Sequence, residues 1–461
     1  MPERFTSYDV LVIGSGQGGN PLARQIAQRG ESVALIESHH LGGTCINTGC
    51  TPTKTMIASA QVAHYAREAK LWGVAAGAVR VDLPAILGRK NEIVQRFRHG
   101  WEETFEKQEN LHLYRGSARF VGMRRVEVNG ETIEAKRVFI DTGTTPSIPA
   151  IPGLEAVPYL TNVTLLELTE LPERLLVLGG GYVGLEFGQM FRRFGSSVTV
   201  VHNSEQILPN EDEDIAAELR KALEAEGIEF CLKARATKVE QKGKRILLSI
   251  ETASGPQTLE GSHLLIAVGR VPTTKELAVS KSGIETNQKG FIVVNEKLET
   301  SAKDIWALGD VTGGPAFTHI SYNDFQIIYG NLYEGMDLKT SSRIVPYAVY
   351  TDPALGRVGL TEKEARAKGR KLKIGKIPVA KVARALERAE TQGLMKIVID
   401  AESDKVLGAA ILCAEGGELV QILSTLMLAD KPYTLLKGAI YIHPTLAEGF
   451  FALMDSVQAV D

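Results

Sequence analysis

Val10-Leu11-Val12-Ile13-Gly14-Ser15-Gly16-Gln17-Gly18-Gly19 is an apolar run that ends in glycines. A strand buried on both faces reads as a continuous apolar run rather than an alternating one. A helical pattern follows through Gln28, and a second apolar run, Val33-Ala34-Leu35-Ile36, closes on Glu37. Strand, helix and strand in this order form a βαβ unit. Glycine turns are common, but this one follows a strand and opens a helix, the context that points to dinucleotide binding. Gly14 is expected to make the tight turn, Gly16 to let backbone approach a pyrophosphate, and Gly19 to let the helix pack on the sheet. The helix N-terminus adds unsatisfied N–H groups and a partial positive charge. Glu37 is placed to take both hydroxyls of an unphosphorylated ribose.

Outward from this stretch the pattern repeats. Leu175-Leu176-Val177-Leu178 turns at Gly179-Gly180-Gly181-Tyr182-Val183-Gly184, a helix runs to about Arg193, and Val198-Thr199-Val200-Val201 follows. Gly179, Gly181 and Gly184 take the same three roles. The strand end carries His202 and Asn203, so no acid waits for a free 2′-hydroxyl. That leans toward NADPH, yet no arginine follows before Arg220 to take a 2′-phosphate. His202 could serve as that partner or simply be solvated, and NADH and NADPH both stay open.

Three further strand runs stop where a backbone could approach a ligand. They end at Asp141-Thr142-Gly143, at Gly269-Arg270, and at Gly309-Asp310. After Arg343 the pattern changes: strands Leu394 to Ile399 and Val406 to Leu412 precede an apolar helix from about Glu418 to Ala429. The tail reads as a separate α+β domain. Repeated βαβ units imply parallel doubly wound sheets.

Composition bounds the function classes. A chain of 461 residues is too long for one hydrophobic core. With 52 basic and 55 acidic residues it offers no broad basic field for nucleic acid or anionic membrane. Met1 to Tyr8 lacks the apolar core of a signal peptide, and no stretch approaches the ~20 apolar residues of a membrane span. A cytoplasmic protein is expected. Its four cysteines are not a secreted disulfide framework.

Two of them stand close together in Gly42-Gly43-Thr44-Cys45-Ile46-Asn47-Thr48-Gly49-Cys50-Thr51-Pro52-Thr53-Lys54. They could bridge only if the backbone between them bends tightly, which Gly49 would help. Zinc would require a second ligand cluster, and the sequence has none, so no metal site is expected. A pair of inert buried cysteines is the plainer alternative. Cys231 and Cys413 each sit alone in an apolar strand pattern and read as structural.

The segment Gly42 to Lys54 resembles the active-site motif of the class I pyridine nucleotide–disulfide oxidoreductases, the family of glutathione reductase, dihydrolipoamide dehydrogenase and mercuric reductase. The resemblance spans the chain: both glycine motifs, Gly309-Asp310, and His443-Pro444-Thr445-Leu446-Ala447-Glu448. Ile305 to Ile328 and the tail around His443 look most like the mercuric-reductase-like and reactive-chlorine-resistance flavoenzymes.

The resemblance implies a fold of two doubly wound, Rossmann-like dinucleotide-binding domains plus a C-terminal α+β dimerisation domain. The expected boundaries are 1–150 for the first part of the FAD domain and 151–275 for the NAD(P)H domain. A central return segment would cover 276–343 and the dimerisation domain 344–461. Cys50 would be the charge-transfer thiol beside the flavin and Cys45 the interchange thiol. Lys54 would lie near flavin N5 and pair with Glu186. Tyr182 would swing aside for the nicotinamide. Asp310 would hold the ribityl chain, with Gly43, Thr44, Ala118, Thr142 and Gly143 also on FAD and Gly269 on the nicotinamide cofactor. His443 and Glu448 would form an acid/base dyad serving the cysteines of the other subunit of a homodimer.

Chemistry supports these roles independently. The thiolate is the reactive form, so Cys45 is expected to need a lowered pKa and a proton acceptor. Histidine suits that task near neutral pH, and a carboxylate can fix its tautomer. Pro444 disfavours helix at His443 and itself suits a helix start, so His443 should project from a turn with Glu448 just inside the next helix.

The expected activity is FAD-dependent oxidation of NAD(P)H with reduction of a small disulfide or a soft metal ion, Hg(II) or Cu(II), through Cys45 and Cys50. Alternatives are reduction of quinones or other direct acceptors with ancillary cysteines, a dihydrolipoamide dehydrogenase, and a non-catalytic redox or metal sensor. Mercuric reductases typically carry a C-terminal cysteine pair, and the tail Met454 to Asp461 has none.

Overall fold

The computed structural model describes residues 6–460; residues 1–5 and 461, which belong to the two ends read above, lie outside them. The chain divides into two compact units, one of residues 1–55, 85–147 and 269–343, the other of 56–84, 148–268 and 344–461.

In the first unit the opening run becomes the strand Thr6–Ile13 at the centre of a seven-stranded sheet. Val33–Glu37 and Glu131–Ile140 lie parallel on its two sides, with Val10 opposite both Val33 and Arg137. Leu111–Arg115 extends one edge in parallel. Beyond Glu131–Ile140 the sheet forks, with Ile305–Ala307 parallel to it and the hairpin Arg119–Gly122 and Arg125–Val128 antiparallel.

Side chains alternate across a strand, and both faces here are covered. Leu11, Ile13, Ala34, Ile36, Val138 and Ile140 join one core. Val10, Val12, Val33, Leu35 and Phe139 join another, with Leu22, Ala23 and Ile26 of the helix Gly19–Gln28 and Phe325 and Ile328 of Thr318–Tyr333. This explains why the opening run has no polar alternation.

The second unit holds the second glycine motif. Its parallel sheet runs Ile228–Cys231, Ser197–Val201, Arg174–Leu178, His263–Ile266. The strand expected through Val268 stops at Ile266. A three-stranded antiparallel sheet, Arg235–Lys242, Arg245–Thr252 and Gly255–Gly261, went unread in the sequence. The tail is a six-stranded antiparallel sheet in which Ala354–Gly359 and Leu394–Asp400 flank Val406–Cys413. The helix Gly416–Leu428 packs Val420 and Leu423 into its core and begins two residues earlier than expected. The architecture is α/β with an α+β tail. No described helix is long and apolar enough to cross a membrane.

Candidate active site

The first glycine turn is held by contacts that leave no room for side chains. A Cβ on Gly14, whose φ is +100°, would lie 2.2 Å from the carbonyl oxygen of Asp141, and one on Gly19 would lie 2.2 Å from that of Gly14. At Gly16 a Cβ would fall 2.6 Å from the Asp141 carboxylate, so a side chain is excluded here too. Asp141 lies buried beneath the loop and accepts from the Gly19 N–H at 2.7 Å. Burial pushes its carboxyl well above the usual range, and the charges of Asp310 and Asp324 push the same way.

Glu37 is buried at the end of its strand. One oxygen accepts from Ser15 N at 3.0 Å and Ser15 Oγ at 2.6 Å, and the other accepts from His39 N at 2.8 Å. It therefore braces the glycine loop, and only the oxygen that faces His39 retains a lone pair for a further donor. Gly43 comes back against the same loop: at φ +61° its Cβ would fall 2.8 Å from the Gly16 Cα. Thr142 Oγ1 donates to Thr273 O at 3.1 Å, and the Gly143 carbonyl accepts from Thr273 N at 3.1 Å. Asp310 Oδ2 accepts from Thr144 Oγ1 at 3.0 Å. Ala118 is part-buried against the core. Two facing glycine loops, a helix N-terminus and a strand-end carboxylate fit a dinucleotide such as FAD.

The cysteines stand on two helices separated by a bend. Gly43–Asn47 is a single helical turn, and Cys50–Glu68 starts a long helix. Gly49 permits the bend because a Cβ there would lie 2.8 Å from Thr44 O. Asn47 ties the loop, donating to Gly43 O at 2.8 Å and accepting from Arg98 Nε at 2.6 Å. Cys45 is half-buried and Cys50 exposed, both free thiols and hydrogen-bonded to each other. Cys50 Sγ lies 3.3 Å from Thr318 Oγ1, at the start of Thr318–Tyr333. Lys54, one turn beyond Cys50, is part-buried on the same helix face.

The expected lowering of the Cys45 pKa is not found in this reduced pair. The thiol is pushed far up, first by its hydrogen bond with Cys50 and then by burial, while Thr318 and the Lys54 charge act the other way. The hydrogen bond and burial both favour the protonated Cys45, so a thiolate there needs an external base.

In the second unit Gly179 and Gly184 repeat the tight contacts, their Cβ positions falling 2.2 Å from Ala267 O and 2.0 Å from Gly179 O. A Cβ on Gly181 meets no described atom within 4 Å, so here the middle glycine does face open space. Tyr182 begins the helix Tyr182–Phe194 and is partly exposed. Glu186, buried on that helix, accepts from Tyr350 N at 2.9 Å. His202 is half-buried: its ring lies against Gly180 and its buried Nε2 has no partner among the described residues. Burial lowers its pKa, which favours the neutral ring. Gly269, in the first unit, has φ +128° and its carbonyl accepts from Ser147 N.

His443 and Glu448 do meet. Nδ1 lies 2.8 Å from Glu448 Oε2, with the histidine side chain 73% exposed and the carboxylate 19%. Glu448 stands at the cap of the helix Gly449–Asp455, one residue before the expected place. The bond at Nδ1 leaves Nε2 to exchange a proton.

Sequence reasoning missed Asp141, Thr318 and the Tyr350 contact, all of which join positions far apart in the chain. It also expected no metal site. His64, Glu226 and Asp352 do bring ligand atoms within 4.8 Å of one another. Arg193, however, bonds Glu226 at 2.6 Å and Asp352 at 2.7 Å, so a guanidinium already neutralises the two carboxylates.

A family model described as pyridine nucleotide-disulphide oxidoreductase matches residues 8–324, and its dimerisation domain matches residues 345–453. A mercuric reductase of Lysinibacillus sphaericus is 36% identical over 96% of this chain and 81% of its own length. The probable pyridine nucleotide-disulfide oxidoreductase RclA of Escherichia coli (strain K12) is 36% identical over 98% of this chain and all of its own. The solved Cu(II) complex of RclA, an HOCl-induced flavoprotein disulfide reductase, superposes with a TM-score of 0.90 at 35% identity, covering 98% of this chain and 99% of the other. The chain belongs to the pyridine nucleotide–disulfide oxidoreductases, flavoprotein enzymes that use FAD and NAD(P)H.

Proposed function

We propose that this enzyme reduces a soft metal ion or a small disulfide through Cys45 and Cys50. The observation that carries the reading is the thiol pair itself: two sulfurs in hydrogen-bond contact, with Thr318 on one of them and a lysine one helical turn away. The Cu(II) complex solved for RclA favours the soft-metal arm.

FAD, when bound, accepts hydride from NAD(P)H and passes the electron pair to the disulfide form of the pair. Gly14, Gly16, Gly19, Gly43, Thr44, Ala118, Thr142, Gly143, Glu37 and Asp310 would hold it; Gly179, Gly181, Gly184, His202 and Gly269 would hold NAD(P)H. Tyr182 would cover the nicotinamide position. Over the half-reaction, hydride plus disulfide gives one thiol and one thiolate, with no other reactant. Cys50 retains the thiolate beside the flavin position, and Lys54 stabilises it. Cys45 loses its proton to His443 of a second copy, oriented by Glu448. Its thiolate attacks a disulfide sulfur and the protonated histidine returns the proton to the departing thiolate. Cys50 then displaces the second thiolate and re-forms the Cys45–Cys50 bond. With Hg(II), both thiolates ligate the ion, pass it their electron pair and close the Cys45–Cys50 disulfide as Hg(0) leaves; with Cu(II), two ions each take one electron and leave as Cu(I) while the same disulfide forms. A homodimer in the cytoplasm is the setting these steps require.

The test is anaerobic turnover of the FAD-loaded enzyme with Hg(II), Cu(II), small disulfides and quinones, using each nicotinamide. Reduction of a metal or disulfide that stops in Cys45→Ser supports the proposal. Full quinone turnover in Cys45→Ser, with no metal or disulfide reduced by the parent enzyme, rejects it.

A further inference from the structure

The helix Gly19–Gln28 turns Leu22, Ala23, Ile26 and Ala27 toward the sheet, and its other face is polar yet not all exposed. Asn20 is only 1% exposed, and neither its Oδ1 nor its Nδ2 has a hydrogen-bond partner among the described residues. Arg24, one turn on, lays its guanidinium 5.5 Å from the Trp101 ring centroid, and its buried Nε is likewise without a partner. Native interiors rarely leave such groups unmatched. All of these groups line one cavity of about 320 Å³, which Gln17, Gln28 and Tyr322 complete.

The chemistry of this lining is one-sided. Arg24 is its only charged side chain, and amides supply the other strong donors. Among the residues that line the cavity, Asn20 Oδ1 is the one buried acceptor left without a donor. An occupant that answers all three orphan atoms carries an anionic oxygen pair for Arg24 Nε and Asn20 Nδ2, and a hydroxyl or ammonium for Asn20 Oδ1. The cavity holds the volume of roughly ten waters, at the small end of ligand pockets. We propose that the cavity formed by Asn20, Arg24, Trp101 and Tyr322 binds a small hydroxy- or amino-carboxylate, independently of the cysteine pair.

The experiment uses the full FAD-loaded chain titrated calorimetrically with malate, citrate and aspartate. At least one should saturate at one molecule per chain. Arg24→Gln and Asn20→Leu should each weaken it about tenfold, the effect of losing one charge-assisted hydrogen bond, with flavin absorbance and turnover unchanged. The proposal is overturned if none of the three saturates, or if the tightest binds both variants as well as the parent. A crystal soaked with that probe decides even if Asn20→Leu fails to fold: only water on Asn20 and Arg24 would reject the site.

Discussion

At the scale of single residues, the site works through its neighbours' charge and protons. The Cys45 thiol is held up chiefly by Cys50, and Lys54 is the nearby cation that opposes this. Replacing Lys54 by Met removes an attraction for the thiolate. Alkylation of the reduced enzyme by iodoacetamide at pH 7 should then slow by about tenfold, and its rise with pH should move to higher pH. Unchanged alkylation would mean that Lys54 does not act on the pair. The cysteine motif and the His443–Glu448 pair were legible because each lies within a dozen residues. Thr318 was not, since it meets Cys50 across 268 residues, nor was Asp141, which meets Gly19 across 122. No local periodicity encodes such contacts. His202 was left between two readings for a related reason: its burial is decided by Gly180 on a neighbouring segment.

At the scale of elements, the two glycine turns share a geometry but not in every position. Gly19→Ala would drive a Cβ to 2.2 Å from the Gly14 carbonyl, whose backbone cannot yield cheaply. Purified Gly19→Ala should retain less than about a tenth of its flavin by absorbance, because the helix can no longer close on the turn. Gly181→Ala meets no described atom and should keep its flavin. Its KM for NAD(P)H should rise about tenfold or more as the methyl occupies the pyrophosphate approach, with little change in kcat. Equal loss of flavin in both variants would contradict this division. Both βαβ units were legible because buried parallel strands are unbroken apolar runs ended by glycine. The antiparallel strands between Arg235 and Gly261 were not, because they carry charged residues on an exposed face and lack that punctuation.

At the scale of the molecule, polar clusters tie distant segments of the second unit together. Lys396 is 4% exposed and bonds Glu362 at 2.9 Å and Asp212 and Asp214 at 3.1 Å each. Lys396→Met would remove the buried cation that three part-buried carboxylates share, leaving Lys376 on Asp214 and Arg366 on Glu362, and should cost about 3 kcal/mol, read as a lowered Tm of the holoenzyme. Burial works to raise the Asp214 carboxyl, but the hydrogen bond from Lys376 and the Lys396 charge leave it below its ordinary value. Its stabilisation is therefore complete above the unfolded value of about 4 and is lost as pH falls through the lower folded value. Burial works to lower Lys396, yet Glu362, Asp214 and Asp212 raise it, so its share is present below about 10.4 and is lost as pH rises through the folded value. In Lys396→Met both dependences should flatten in thermal scans against pH. The second copy that the proposed mechanism gives His443 to serve predicts another loss. Ile440 and Ile442, beside that histidine, are exposed apolar side chains, 101% and 78% accessible. Ile442→Glu should yield monomers in sedimentation and reduce turnover by more than about a hundredfold. A fully active monomer would break the proposed sharing of the site.

The thiolate of Cys50 beside the flavin is the claim on which the mechanism turns, and the absorption spectrum of the two-electron-reduced holoenzyme reads it most directly. A long-wavelength charge-transfer band should appear on anaerobic reduction, persist in Cys45→Ser and vanish in Cys50→Ser. A band that survives Cys50→Ser, or its absence from the flavin-loaded parent enzyme, would contradict that placement.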